Sequence, residues 1–179
     1  MTDRNGVLVV DFGAQYAQLI ARRVREARVF SEIVPSSITS AEILARKPEA
    51  IILSGGPASV YVTGAPVINA EIFSLGIPVF GICYGFQAMA AALGGVVSQT
   101  GKSEFGRTDV TVEPSAKIFL ELPMHLSVWM SHGDRVQKLT NGFNIIAQSE
   151  NSPMAIIENP QKKIYGLQFN PEVTHSPEG

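Results

Sequence analysis

The sequence predicts an α/β fold: an open, mainly parallel sheet with helices on both faces, plus antiparallel strands in the C-terminal half. Three observations carry this expectation. Val7-Leu-Val-Val-Asp11 is apolar on both strand faces, the composition of a parallel strand covered on each side. Strand-like and helix-like segments then alternate as far as Leu93, as repeated βαβ units do. After Gly94-Gly95 the character changes to short β-rich pieces, which suit antiparallel strands that extend or flank the sheet.

Each element has its own signal. After the first strand, Leu19, Ile20 and Val24 recur at helical spacing between Gln15 and Arg28, while Arg22, Arg23, Arg25 and Glu26 fill the opposite face. Val29 to Val34 reads as the second strand, and Thr39 caps a helix running to Arg46. Ala50 to Leu53 is a strand, Ala65 to Leu75 a helix, Ile77 to Ile82 a strand and Tyr84 to Leu93 a helix. The later strands are expected at Val96 to Gln99, Thr108 to Val112, around Val128, Phe143 to Ser149, Met154 to Ile157 and Ile164 to Phe169. The last of these has no closing helix after it, which suggests an excised domain or a trimmed subunit.

Composition narrows the function. The 179 residues suit one domain with a sizeable core, and 45% hydrophobic with 17% charged residues is a globular balance. A net charge of −2 gives no electrostatic reason to expect nucleic acid or an anionic membrane as partner. A single cysteine rules out an internal disulfide, and MTDRNG lacks the charged-then-apolar pattern of a secretory signal. No apolar run approaches the roughly 20 residues that span a bilayer. The expected address is a reducing cytoplasm. No cysteine or histidine cluster has zinc spacing, so no metal is expected in this domain.

The one cysteine stands in Gly81-Ile82-Cys83-Tyr84-Gly85, the form G-x-C-x-G, where a strand turns sharply into a helix. This is the cysteine version of the nucleophile elbow, and the helix N-terminus there is expected to favour thiolate over thiol. Ser54-Gly55-Gly56-Pro57 follows another strand, so its backbone should emerge at the same sheet edge. An oxyanion formed at Cys83 could then be held by the N–H groups of Gly56 and Tyr84.

Six segments in order, DFGAQY, LSGGP, GICYGFQ, EFGR, WMSHGD and GLQFNPEVTH, resemble the class I (triad-type) glutamine amidotransferases. DFGAQY, WMSHGD and PEVTH are similar to the glutaminase domain of the GMP synthase branch, over nearly the whole chain from Val7 to His175. The resemblance implies that residues 1–179 form a single glutamine amidotransferase domain that hydrolyses glutamine and passes ammonia on. The recipient would be an ATP-pyrophosphatase domain, absent from this chain, that uses ATP and magnesium to aminate XMP to GMP. It also implies that Cys83 forms the γ-glutamyl thioester and that Gly56 and Tyr84 make the oxyanion hole. Gln87 would help to hold the glutamine, Ser131, His132 and Gly133 would meet its α-amino and α-carboxylate groups, and Glu172 would orient the catalytic histidine. The segment around Glu104 would lie near the glutamine pocket in a supporting role.

Where the resemblance implies F-H-P-E, the chain reads Phe169-Asn170-Pro171-Glu172. An amide has no useful basicity, so Asn170 can neither take the thiol proton nor protonate departing ammonia. Severely impaired turnover with retained binding is expected. None of the three histidines, His125, His132 and His175, stands in a position to replace it. A catalytically silent glutamine-binding or regulatory module is the alternative, and the glutaminase subunit of another synthase, such as anthranilate synthase, a second.

Overall fold

The computed structural model describes residues 5–56, 59–113 and 120–179. Nine strands form one mixed sheet in the order β2-β1-β3-β4-β9-β8-β7-β5-β6. The strands are β1 (Val7–Asp11), β2 (Ser31–Pro35), β3 (Ala50–Leu53), β4 (Val79–Ile82), β5 (Val96–Val112), β6 (His125–Lys138), β7 (Asn144–Gln148), β8 (Ile156–Asn159) and β9 (Ile164–Leu167). The pairs β1/β2, β1/β3, β3/β4 and β4/β9 are parallel. Every pair beyond β9 is antiparallel. β9, from the end of the chain, is therefore the seam between a parallel half and an antiparallel half.

Helices cover both faces of the parallel half, as the two-faced apolar strands require. α1 (Tyr16–Glu26) buries Ala17, Ile20 and Ala21 against Val9 and Ile82. α2 (Ser40–Arg46) and α3 (Tyr84–Ala92) close the other face, with Ile43, Phe86 and Met89 packed against Leu8, Val10, Ile51 and Leu53. A second core lies between the antiparallel strands and β9, built on Val110, Leu126, Met130, Ile156 and Leu167. Among the described residues no helix is long and apolar enough to cross a membrane.

The arginines of α1 form a solvated face. Arg22 and Arg23 both pair with Glu26 at 3.1 Å, and exposure of these side chains keeps each pair weak. Arg23 does more, because its Nε donates to the Glu172 carbonyl at 3.2 Å and ties α1 to the segment after β9.

Thr39 caps α2 as expected: its hydroxyl accepts from the Glu42 N–H at 3.2 Å, and the Glu42 carboxylate accepts from the Thr39 N–H at 2.8 Å. Losing such a reciprocal cap typically costs about 1 kcal/mol. Urea unfolding of Thr39→Ala is expected to show that loss with an unchanged slope; a stability within error of the parent would mean that packing of Ile43 alone sets the helix.

Two sequence expectations are corrected. The helix expected over Ala65 to Leu75 is only a 3-10 turn at Ala70–Ser74. Pro66 and the β-branched pair Val67-Ile68 oppose an earlier start, and the Asn69 side chain accepts from the Glu71 N–H at 3.0 Å and begins the turn there. The strands expected at Val96 to Gln99 and Thr108 to Val112 are one strand, β5, continuous through Gly101 and Gly106. Cross-strand pairing with β6 overrides the turn signal at Gly106, which stands opposite Met130, whereas Gly101 lies in the unpaired stretch between two paired segments.

Candidate active site

β4 ends at Ile82 and α3 begins at Tyr84, so Cys83 makes the whole turn by itself. It holds φ 50° and ψ −108°, a conformation that L-residues rarely adopt and that concentrates at functional sites. The turn is held from below, because the Cys83 N–H donates to the Leu167 carbonyl of β9 at 2.7 Å. Both flanking glycines are needed by contact. A Cβ at Gly81 would lie 2.9 Å from the Phe86 Cα, and one at Gly85 would lie 2.6 Å from the Leu53 carbonyl carbon.

A cavity of about 390 Å³ opens over the turn. Gly56, Cys83, Tyr84 and Gln87 line it on the parallel side, and Ser131 to Asp134 of β6 line it on the other. The structure thus gathers every expected oxyanion and substrate residue around one space. Pro57, the last residue of the expected glycine turn, lies outside the described residues. Gly56 packs on the Tyr84 ring so closely that a Cβ would come within 2.7 Å of it. The turn before it is anchored by Ser54, whose Oγ accepts from the Phe12 N–H at 3.2 Å.

The thiol environment differs from the expectation of a lowered pKa. Cys83 is 8% exposed, and burial, followed by the negative charge of Glu172, pushes its thiol up to about 12. A hydrogen bond from the Tyr84 backbone and one from Gln168 work in the opposite direction and are outweighed. The helix N-terminus does not compensate for the lost water. The resting group is a thiol, and it is placed to donate to the Ser131 carbonyl at 3.5 Å.

Asn170 and Glu172 do not line the cavity. The Asn170 N–H donates to the Trp129 carbonyl at 3.0 Å, two residues along β6 from the carbonyl that meets the thiol. Both Glu172 carboxylate oxygens are buried and have no hydrogen-bond partner among the described residues. Burial pushes this carboxyl up to about 7, and its own nearby backbone N–H opposes that only in part.

That elevation has a direct consequence for stability. With a folded pKa above the reference 4.5, the folded state holds the proton more tightly than the unfolded state. Stability from this group is complete below pH 4.5, falls as the pH rises through the interval to about 7, and stays reduced above it. At about 1.4 kcal/mol per pH unit, the loss is on the order of 3 kcal/mol. Glu172→Gln should therefore be more stable than the parent by up to about this amount at pH 8 and no more stable at pH 4. Denaturation at the two pH values checks it; an equal effect at both would mean that the carboxyl titrates normally.

Sequence reasoning overlooked Gln168. Its amide nitrogen points at the Cys83 sulfur at 3.9 Å, and its oxygen accepts from Gln87 Nε2 at 3.4 Å. Gln87 Nε2 also donates to the Asp134 carbonyl at 2.8 Å. A readable signal existed: Gln168 directly follows the strand that pairs with the strand leading into Cys83. The His175 ring packs on Trp129 at 4.5 Å, His125 is exposed at the start of β6, and both His132 ring nitrogens are engaged below the cavity. Among the described residues no three metal-binding side chains cluster.

Residues 8–179 match the family model described as Glutamine amidotransferase class-I. The chain is 58% identical over 97% of its length to the GMP synthase [glutamine-hydrolyzing] of Streptomyces coelicolor. It is 55% identical over 99% of its length to the protein of that name in Corynebacterium glutamicum. It spans about a third of each of these relatives, 33% and 34%. The crystal structure of a protein from Thermoplasma acidophilum, described as one subunit of a GMP synthase, superposes with a TM-score of 0.81 at 30% identity, covering 97% of this chain and 87% of that one. A glutamine amidotransferase from Thermotoga maritima shares the fold, with a TM-score of 0.77 at 22% identity, over 95% and 77% of the two chains.

Proposed function

Because the chain belongs to the class I glutamine amidotransferases, we propose that its cavity binds glutamine and that Cys83 attacks the side-chain amide, in a site slowed by Asn170. The observation that carries this reading is the Cys83 turn: a strained nucleophile at the first turn of α3, facing a cavity that it shares with Gly56 and Tyr84. Sulfur adds to the amide carbon, and the oxyanion is held by the Gly56 and Tyr84 N–H groups. The C–N bond then breaks, ammonia leaves with the proton taken from the thiol, and water cleaves the thioester to glutamate. Each of these proton movements needs a carrier, and Asn170 cannot serve as one.

The similarity to proteins named GMP synthase [glutamine-hydrolyzing] supports a partner for the ammonia: an ATP- and magnesium-using synthetase part that aminates XMP to GMP, in the cytoplasm. The second reading, a glutamine-binding module without turnover, is favoured by Asn170 together with the unpartnered Glu172 oxygens.

Glutamine labelled at the side-chain nitrogen separates the two. Slow release of labelled ammonia that Cys83→Ala abolishes supports the enzyme. Release that survives Cys83→Ala sinks it, and binding without release in both the parent and Asn170→His assigns the chain to the module.

A further inference from the structure

The β5/β6 ladder is interrupted where the cavity needs its wall. Glu104 pairs with His132 and Gln99 with Asp134, so the four residues 100 to 103 of β5 stand opposite Gly133 alone. Strand pairing holds Ser131, His132 and Asp134 but leaves Gly133, in the middle of the stretch that lines the cavity opposite Cys83, without a partner on β5. A Cβ at Gly133 would meet nothing within 4 Å, so packing does not fix it either.

The side chains of His132 and Glu104 span the gap. His132 Nδ1 lies 2.9 Å from the Asp134 carbonyl, and Nε2 lies 3.1 Å from a Glu104 carboxylate oxygen. Each ring nitrogen thus faces an oxygen acceptor, and the ring links the two ends of the interrupted stretch. Glu104, 5% exposed, is itself over-determined. Its carboxylate accepts from the hydroxyls of Ser149 and Ser152, both at 2.7 Å, and from the Asn151 N–H at 3.2 Å. Burial alone would raise this carboxyl, but the hydrogen bonds from Ser152, Ser149 and His132 outweigh it and hold it below the usual range. A buried carboxylate so fully supplied with donors is a rigid anchor.

We propose that Glu104 is a positioning residue for substrate: through His132 it holds the main chain of residues 131 to 134 in the shape that receives the α-amino and α-carboxylate groups of glutamine. This rests on the glutamine reading above. Both His132 ring nitrogens already face protein oxygens, which leaves the backbone of the stretch and Ser131 to bind substrate. The Ser149–Ser152 turn after β7 thereby becomes part of the specificity apparatus, although it does not line the cavity.

The test is glutamine affinity by calorimetry on the chain as it stands, with Glu104→Gln and the milder Ser152→Ala. Alkylation of Cys83 by iodoacetamide and melting temperature are measured on the same samples. Glu104→Gln is expected to weaken glutamine at least tenfold and Ser152→Ala about threefold, with the alkylation rate within about twofold of the parent. Iodoacetamide has neither α-group, so a loss confined to glutamine marks positioning. Unchanged affinity in both variants overturns the proposal. Parallel falls in affinity, alkylation rate and melting temperature overturn it in favour of a scaffold role. If Glu104→Gln does not fold, Ser152→Ala alone decides. A parent that binds no glutamine overturns the glutamine reading, and this proposal with it.

Discussion

Asn170→His is expected to raise Cys83-dependent glutamate release by about 10² to 10⁴, the range that general acid–base catalysis contributes, or roughly 3 to 5 kcal/mol of barrier. The site shows why the gain should be large. The Cys83 thiol is pushed up to about 12, so almost none of it is nucleophilic at neutral pH. Two Glu172 oxygens lie buried without a donor, and the same carboxylate raises the thiol further. An imidazole at position 170 would give Glu172 a donor and, once protonated, oppose the negative charge beside the sulfur. The parent rate should therefore keep climbing with alkaline pH, whereas the variant should level off near neutrality. Glutamate release across pH, with Cys83→Ala as the blank, measures both. Equal rates in parent and variant would mean that another group already carries the proton, and Glu172 through a bridging water would be the first to test.

Gly85→Ala should be strongly destabilising. The added Cβ would lie 2.6 Å from the Leu53 carbonyl carbon and 2.7 Å from the Leu53 Cβ, so the nearest obstacle is the backbone of β3 rather than a movable side-chain tip. Relief requires α3 to lift away from the sheet. Overpacking of this kind costs about 1 to 3 kcal/mol or more. Function should suffer beyond the loss of stability, because the N-terminus of α3 carries Cys83, Tyr84 and Gln87. Gly133→Ala provides the contrast, with open space around the new methyl and an expected change in stability within about 0.5 kcal/mol. Urea unfolding of the two variants checks the pair; comparable losses would show that the close approach at Gly85 is easily relieved.

The parallel half of the fold was legible because its signals are local. Val7–Asp11, the capped α2 and Ala50–Leu53 appear where the apolar pattern and Thr39 place them. So does the G-x-C-x-G turn, whose glycines meet backbone within a few residues or on the adjoining strand. The antiparallel half was less legible. β5 runs through Gly106 because β6 supplies Met130 opposite it, and no pattern within β5 announces that. The same limit applies to the site. Cys83, Gly56 and Glu172 belong to recognisable segments, but the Glu104 anchor draws on residues up to 48 positions away and Gln168 reaches a thiol 85 positions earlier. The direction of the thiol shift was misjudged for a related reason: a helix N-terminus can be read from sequence, whereas the depth of burial that outweighs it depends on the whole assembled sheet.

The position of β9 also sets an order of events during synthesis. β4 and the nucleophile turn are complete by residue 87, yet β4 lacks its second neighbour until residues 164 to 167 arrive. β8 joins the parallel strands only through that late strand. A nascent chain emerging from the ribosome thus presents β4 as an open edge for roughly eighty residues of elongation, and closes it in one late, long-range step of the kind that slows folding. The bond from the Cys83 N–H to the Leu167 carbonyl forms in that same step. The nucleophile turn therefore gains this backbone support only once the strand that seals the sheet has been made.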